Sequence, residues 1–115
     1  MYGETLELYD SLKNYIINLE SGINKIIEKI HTGNENEFLS MIVDAVDGID
    51  WTIKAIYLTQ NHHDIKEVDK LNNILQEAIN GLENNDYIFV ADIFEYEVLP
   101  EVELWKNKIC GEACV

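Results

Sequence analysis

The chain has 115 residues, 47% of them hydrophobic, with one proline and six glycines. That describes one domain of ordinary size with material for a core, neither disordered nor a turn-rich β fold. Eight lysines stand against 22 acidic residues, the net charge is −14 and arginine is absent, which argues against nucleic acid and anionic membrane as partners. No apolar run reaches the roughly 18 residues of a membrane span. The N-terminus MYGETLELYD is acidic and has no apolar core, so no signal peptide is expected and the expected location is cytoplasmic. The charge reads first as a solubilising surface. A sharper reading is an acidic face for a basic partner, or mimicry of nucleic acid.

The first helix is predicted over about residues 4–31. Leu8, Leu12, Ile16, Leu19, Ile23, Ile26, Ile27 and Ile30 recur at three- and four-residue spacing and form one stripe. Gly22 interrupts that run at a cost of about 1 kcal/mol against alanine, which predicts a bend or a closely approaching neighbour. Thr32-Gly33 ends the helix, with Gly33 suited to a left-handed cap. The second helix is predicted over 35–59, capped by Asn34 with Glu37 three residues on. Phe38, Ile42, Ala45, Ile49, Ile53 and Ile56 form its inward stripe.

Asp64 and Glu67 repeat the capping spacing and predict a third helix over 65–83, with Val68, Leu71, Leu75, Ala78, Ile79 and Leu82 inward. Glu83-Asn84-Asn85-Asp86 then forms a turn and the cap of a fourth helix over 86–109. There Tyr87, Ala91, Phe94, Val98, Val102, Trp105 and Ile109 share one side at about 100° per residue. Phe89, Ile93 and Tyr96 fall on the opposite side. Pro100 removes the backbone bond to the Tyr96 carbonyl and predicts a bend. Connections this short make successive helices antiparallel, so the predicted fold is all-α, an up-down-up-down four-helix bundle.

The segment DYIFVADIFEYEVLPEVELWK, over about residues 86–106, resembles the C-terminal part of a small, uncharacterised helical-bundle family from Firmicutes. The shared pattern is the tyrosine, Ala-Asp, Glu-Tyr-Glu, Leu-Pro and Trp-Lys. The resemblance implies a helical fold in a bacterial cytoplasm and carries no activity or functional residues.

Carboxylates matter here because bundles host dimetal sites built from two Glu and two Glu-x-x-His pairs. This chain has one such pair, Glu28 and His31, at the end of its helix, so no metal is expected there. Asp44, Asp47 and Asp50 form a ladder on the second helix, but a straight helix face offers too few oxygens for calcium. In the fourth helix Asp92 and Glu95 take flank or surface positions, while Glu97 and Glu101 edge the apolar stripe. One of them could be partly buried, yet no nucleophile or histidine partner is near in sequence. His62, His63 and Asp64 are adjacent in a loop, and three consecutive ligands rarely converge on one ion. Cys110 and Cys114 read as free thiols in a reducing compartment.

What remains is surplus apolar surface. Phe89, Ile93 and Tyr96 at i, i+4 and i+7 would form an exposed ridge on the fourth helix, with Trp51 and Leu58 on the outer side of the second. These five residues are the candidate interaction surface. The expected function is a non-catalytic, acidic, helical protein-protein interaction module, adaptor or chaperone-like, binding a protein partner or itself as a homodimer. No cofactor is expected. The alternatives are a metal-binding or enzymatic bundle using carboxylates of the second and fourth helices, and an acidic inhibitor that mimics nucleic acid.

Overall fold

The computed structural model describes residues 2–33, 35–65 and 68–110. Helix α1 spans Tyr2–Thr32 and α2 Glu35–Leu58, followed by a 3₁₀ turn, Gln60–His62. Helix α3 spans Asp69–Glu83, and α4 spans Tyr87–Ile93. A π-helical turn, Phe94–Val98, joins α4 without a break to α5, Leu99–Cys110. Counting α4, the π turn and α5 as one rod, four helices make an all-α bundle, and no strand occurs among the described residues. α1 packs against α2 and α5, and α3 packs against α4 and, more lightly, α2. No described helix is long and apolar enough to cross a membrane.

The apolar stripes supply the core. From α1 come Leu12, Ile16, Leu19, Ile23 and Ile26, and from α2 Phe38, Ile42, Ala45, Ile49 and Ile56. The last rod adds Phe94, Val98, Val102, Trp105 and Ile109. Each large side chain so buried contributes about 1.5–3 kcal/mol. Gly33 ends α1 in the left-handed region, φ 77°, where glycine carries no Cβ penalty. α1 continues without a break through Gly22, and no neighbour approaches it closely: a Cβ there would meet nothing within 4 Å. The close approach lies instead at Gly48, where a Cβ would collide with the Tyr15 hydroxyl.

Asn34 lies outside the described residues, and Glu37 is engaged with Lys29 at 2.7 Å. α3 begins at Asp69, four residues later than the capping pattern predicts, and Asp64 is exposed in the segment before it. Glu67 lies outside the described residues. The side chains of His63 and Ile65 account for the delay. His63 is extended, with φ −152° and ψ 174°, and its Nδ1 accepts from the Ile65 N–H at 3.1 Å. This carries Ile65 into the core. A cap is worth about 1 kcal/mol, and burying an isoleucine about 1.5–3 kcal/mol, so the tertiary contact prevails.

The fourth rod starts as the sequence predicts. Asp86 caps it by accepting from the Phe89 N–H at 3.3 Å, and Asn85 makes the turn at φ 58°. The disturbance expected at Pro100 appears one turn upstream. The Leu99 N–H donates to the Phe94 carbonyl, five residues back, so the helix widens into the π turn just before the residue that lacks an N–H.

Candidate interaction site

The structure breaks the predicted ridge. Phe89 and Tyr96 are exposed, at 43% and 70%, but Ile93 is only 2% exposed and belongs to the core. The reason is Gly81 on α3. A Cβ there would sit 2.7 Å from Val90 Cγ2 and 3.1 Å from Phe89 Cδ2, so α3 comes in close where the glycine leaves room. That approach covers a flank of α4 that helix geometry alone leaves outside, and the buried arc of α4 widens to Val90, Ala91, Ile93 and Phe94.

The other two residues lie elsewhere. Trp51 is partly exposed and makes an edge-on contact with Tyr15 of α1, ring centroids 5.0 Å apart, so it faces the α1–α2 seam. Leu58 is exposed at the end of α2. Phe89, beside Gly81, faces the α3–α4 seam. The five residues therefore do not form one surface.

The sequence reading missed Ile88. It is 80% exposed, the most exposed large hydrophobic residue among the described residues. It stands at the rim of an open cleft of about 360 Å³ at one end of the bundle. Lys29, Ile30, His31 and Gly33 from the end of α1, Phe38 from α2, and Tyr87, Ile88, Ala91, Asp92 and Glu95 from the last rod line it. Ile30, Phe38 and Ala91 give it an apolar floor. The signal was available, because Ile88 lies off the stripe of its helix as Phe89 does, within the same apolar run.

The charges around the cleft are uneven. Lys29 is held by Glu37, and this hydrogen bond raises the lysine pKa. His31 Nε2 lies 3.7 Å from Glu95 Oε1. Asp92 is exposed, and among the described residues no ion pair involves it. The floor has no nucleophile beside a base. What the arrangement offers is room for an apolar side chain, with carboxylates next to it.

The histidine pair serves the fold. His63 Nε2 donates to the Ile56 carbonyl at 2.9 Å and lies 3.2 Å from Thr59 Oγ1, while Nδ1 accepts from Ile65. Both ring nitrogens are engaged, which fixes the neutral Nε2–H tautomer. Burial pushes the His63 pKa down, partly opposed by the bond to Ile56 and by Asp64. His62 stacks on Tyr9, centroids 5.2 Å apart, and its Nε2 lies 3.2 Å from Thr5 Oγ1.

The carboxylates read similarly. Asp44 and Asp47 are exposed, and Asp50 pairs with Lys54 at 2.9 Å. The Glu101 side chain is 14% exposed and pairs with Lys70 at 2.9 Å, whereas Glu97 is exposed. Among the described residues no group of three or more His, Cys, Asp or Glu side chains is placed to hold a metal ion. Cys110 is disulfide-bonded, contrary to the expected free thiol, and Cys114 lies outside the described residues.

No curated protein and no solved structure matches the chain. One family model does, over residues 7–108. It runs from within α1 to within α5 and extends well beyond the C-terminal segment that carries the sequence resemblance. The chain belongs to the family described as "Domain of unknown function (DUF8042)".

Proposed function

We propose that this domain is a non-catalytic protein-interaction module that holds a partner protein at the cleft beside Ile88. One observation carries the reading. A large aliphatic side chain stands 80% exposed at the rim of an apolar-floored cleft. Exposed apolar surface next to a concave, apolar floor is the usual form of a contact site. Phe89 and Tyr96 are exposed on the same rod but do not line the cleft, and the reading does not rest on them. The setting we propose is the bacterial cytoplasm, on the strength of the C-terminal resemblance.

A photo-crosslinking residue placed at position 88 tests the reading in the native host. Val43, exposed on α2, is the control position. A protein adduct formed from position 88 and not from position 43 supports the module. Position 88 yielding no more adduct than position 43 argues against it.

A further inference from the structure

We infer that the occupant of the cleft is a cationic amphipathic helix, with aliphatic residues on one face and lysine or arginine beside them. The inference rests on the interaction reading and adds the chemistry of the partner. Three features select that occupant.

The first is charge. Lys29 at the rim is neutralised by Glu37, while on the rod next to Ile88 Glu95 lies 3.7 Å from His31 and Asp92 has no ion pair among the described residues. The carbonyl end of α1 also borders the cleft; its partial negative charge faces Lys29 and His31 of the same last turn, so the negative charge at the cleft rests on the carboxylates of the rod. The chain as a whole bears −14, so a basic partner is drawn in and an acidic one repelled. A second copy would bring −14 against −14, which disfavours self-association at this face.

The second feature is shape. Ile88, Asp92 and Glu95 stand at i, i+4 and i+7 on the last rod and so follow one side of it. A partner that places an aliphatic residue against Ile88 meets carboxylates one and two turns further on. A helix with apolar and basic residues at matching intervals satisfies both.

The third feature is the backbone. The described secondary structure is helical throughout, and helices keep their backbone groups for themselves. An extended peptide would find no sheet edge to pair with, whereas an amphipathic helix needs only side-chain contacts.

Fluorescence anisotropy tests the inference with a labelled lysine–leucine peptide of about 18 residues, patterned as an amphipathic helix. The comparison peptide has the same composition, scrambled so that the leucines share no face. The patterned peptide is expected to bind at least about tenfold more tightly than the scrambled one. Ile88→Glu is expected to weaken binding by about fivefold or more, although it adds negative charge. Val43→Glu adds the same charge away from the cleft and is expected to leave binding unchanged or tighter. Asp92→Asn with Glu95→Gln is expected to weaken binding and flatten its salt dependence.

Equal binding of the two peptides, or undiminished binding by Ile88→Glu, overturns the inference, since attraction to the acidic surface at large would then suffice. Sedimentation of the same proteins covers the second copy. A wild-type dimer that Ile88→Glu dissociates would place another copy of this chain in the cleft. That outcome overturns the cationic helix and leaves the interaction module standing. Loss of the position-88 adduct, in contrast, removes the module itself.

Discussion

The Tyr9 hydroxyl donates to the Ile109 carbonyl at 3.0 Å, joining the first turns of α1 to the last turn of α5 across 100 residues of sequence. The Tyr9 ring also stacks on His62 and His63, with Lys13 Nζ 4.7 Å from its centroid. One side chain thus ties the first helix, the last helix and the loop before α3 together at one place. Burial raises the phenol pKa, with Asp10 and Asp64 adding to it, so the hydroxyl remains a donor at neutral pH.

Tyr9→Phe keeps the ring and removes the donor. It should cost about 1–2 kcal/mol, because a buried carbonyl loses its partner. Urea unfolding followed by circular dichroism measures the loss. A midpoint unchanged from wild type would mean that the bond contributes nothing.

The glycines separate by their surroundings. Gly22→Ala meets nothing and should stabilise α1 by about 1 kcal/mol. Gly48→Ala must displace Tyr15, which lies against it, and should destabilise by about 1–3 kcal/mol. Opposite shifts of the urea midpoint are expected, and shifts of the same sign would contradict the packing described at one of the two sites.

Lysine at Ile93 and lysine at Ile88 should behave differently. Ile93 is core, and an unpaired charge there should unfold the domain. Ile88→Lys should leave the helical signal and melting temperature close to wild type. A folded Ile93→Lys variant would return Ile93 to the surface and restore the ridge that helix periodicity predicted.

Acid should act through His63. Its folded pKa lies below the unfolded value of about 6.5. Above that pH both states are neutral and the full contribution is present. As pH falls below about 6.5 the unfolded chain takes up the proton first, so stability is lost until the folded pKa is passed. A proton on Nδ1 also ejects the bond from Ile65. His63→Gln does not titrate. The melting temperature of wild type relative to His63→Gln should therefore fall between pH 7.5 and pH 5.5, at fixed ionic strength. A constant or rising difference would contradict the assignment.

How far the sequence carried these conclusions varies by element. The α1 and α2 stripes, the Asp86 cap and the Gly33 terminus were legible because each depends on local spacing or on one residue's conformational freedom. The start of α3 was not, since the burial of Ile65 and the bonds of His63 are tertiary and outweigh a local cap. Ile93 failed for the same kind of reason. Periodicity places a residue on a face, but whether that face is covered depends on how near the neighbouring helix comes, and Gly81 on α3 decides that. The cleft combines the end of α1, the start of α2 and the start of α4, three stretches whose meeting no single periodic pattern announces.

The interaction reading stands or falls on where a partner touches the domain. Titrating isotope-labelled protein with the lysine–leucine peptide and following backbone amide shifts locates that contact directly. The account predicts changes concentrated at Lys29–Gly33, Phe38 and Tyr87–Glu95, which surround the cleft. Changes centred instead on the exposed carboxylates Asp44 and Asp47 of α2, with the cleft amides unmoved, would contradict it.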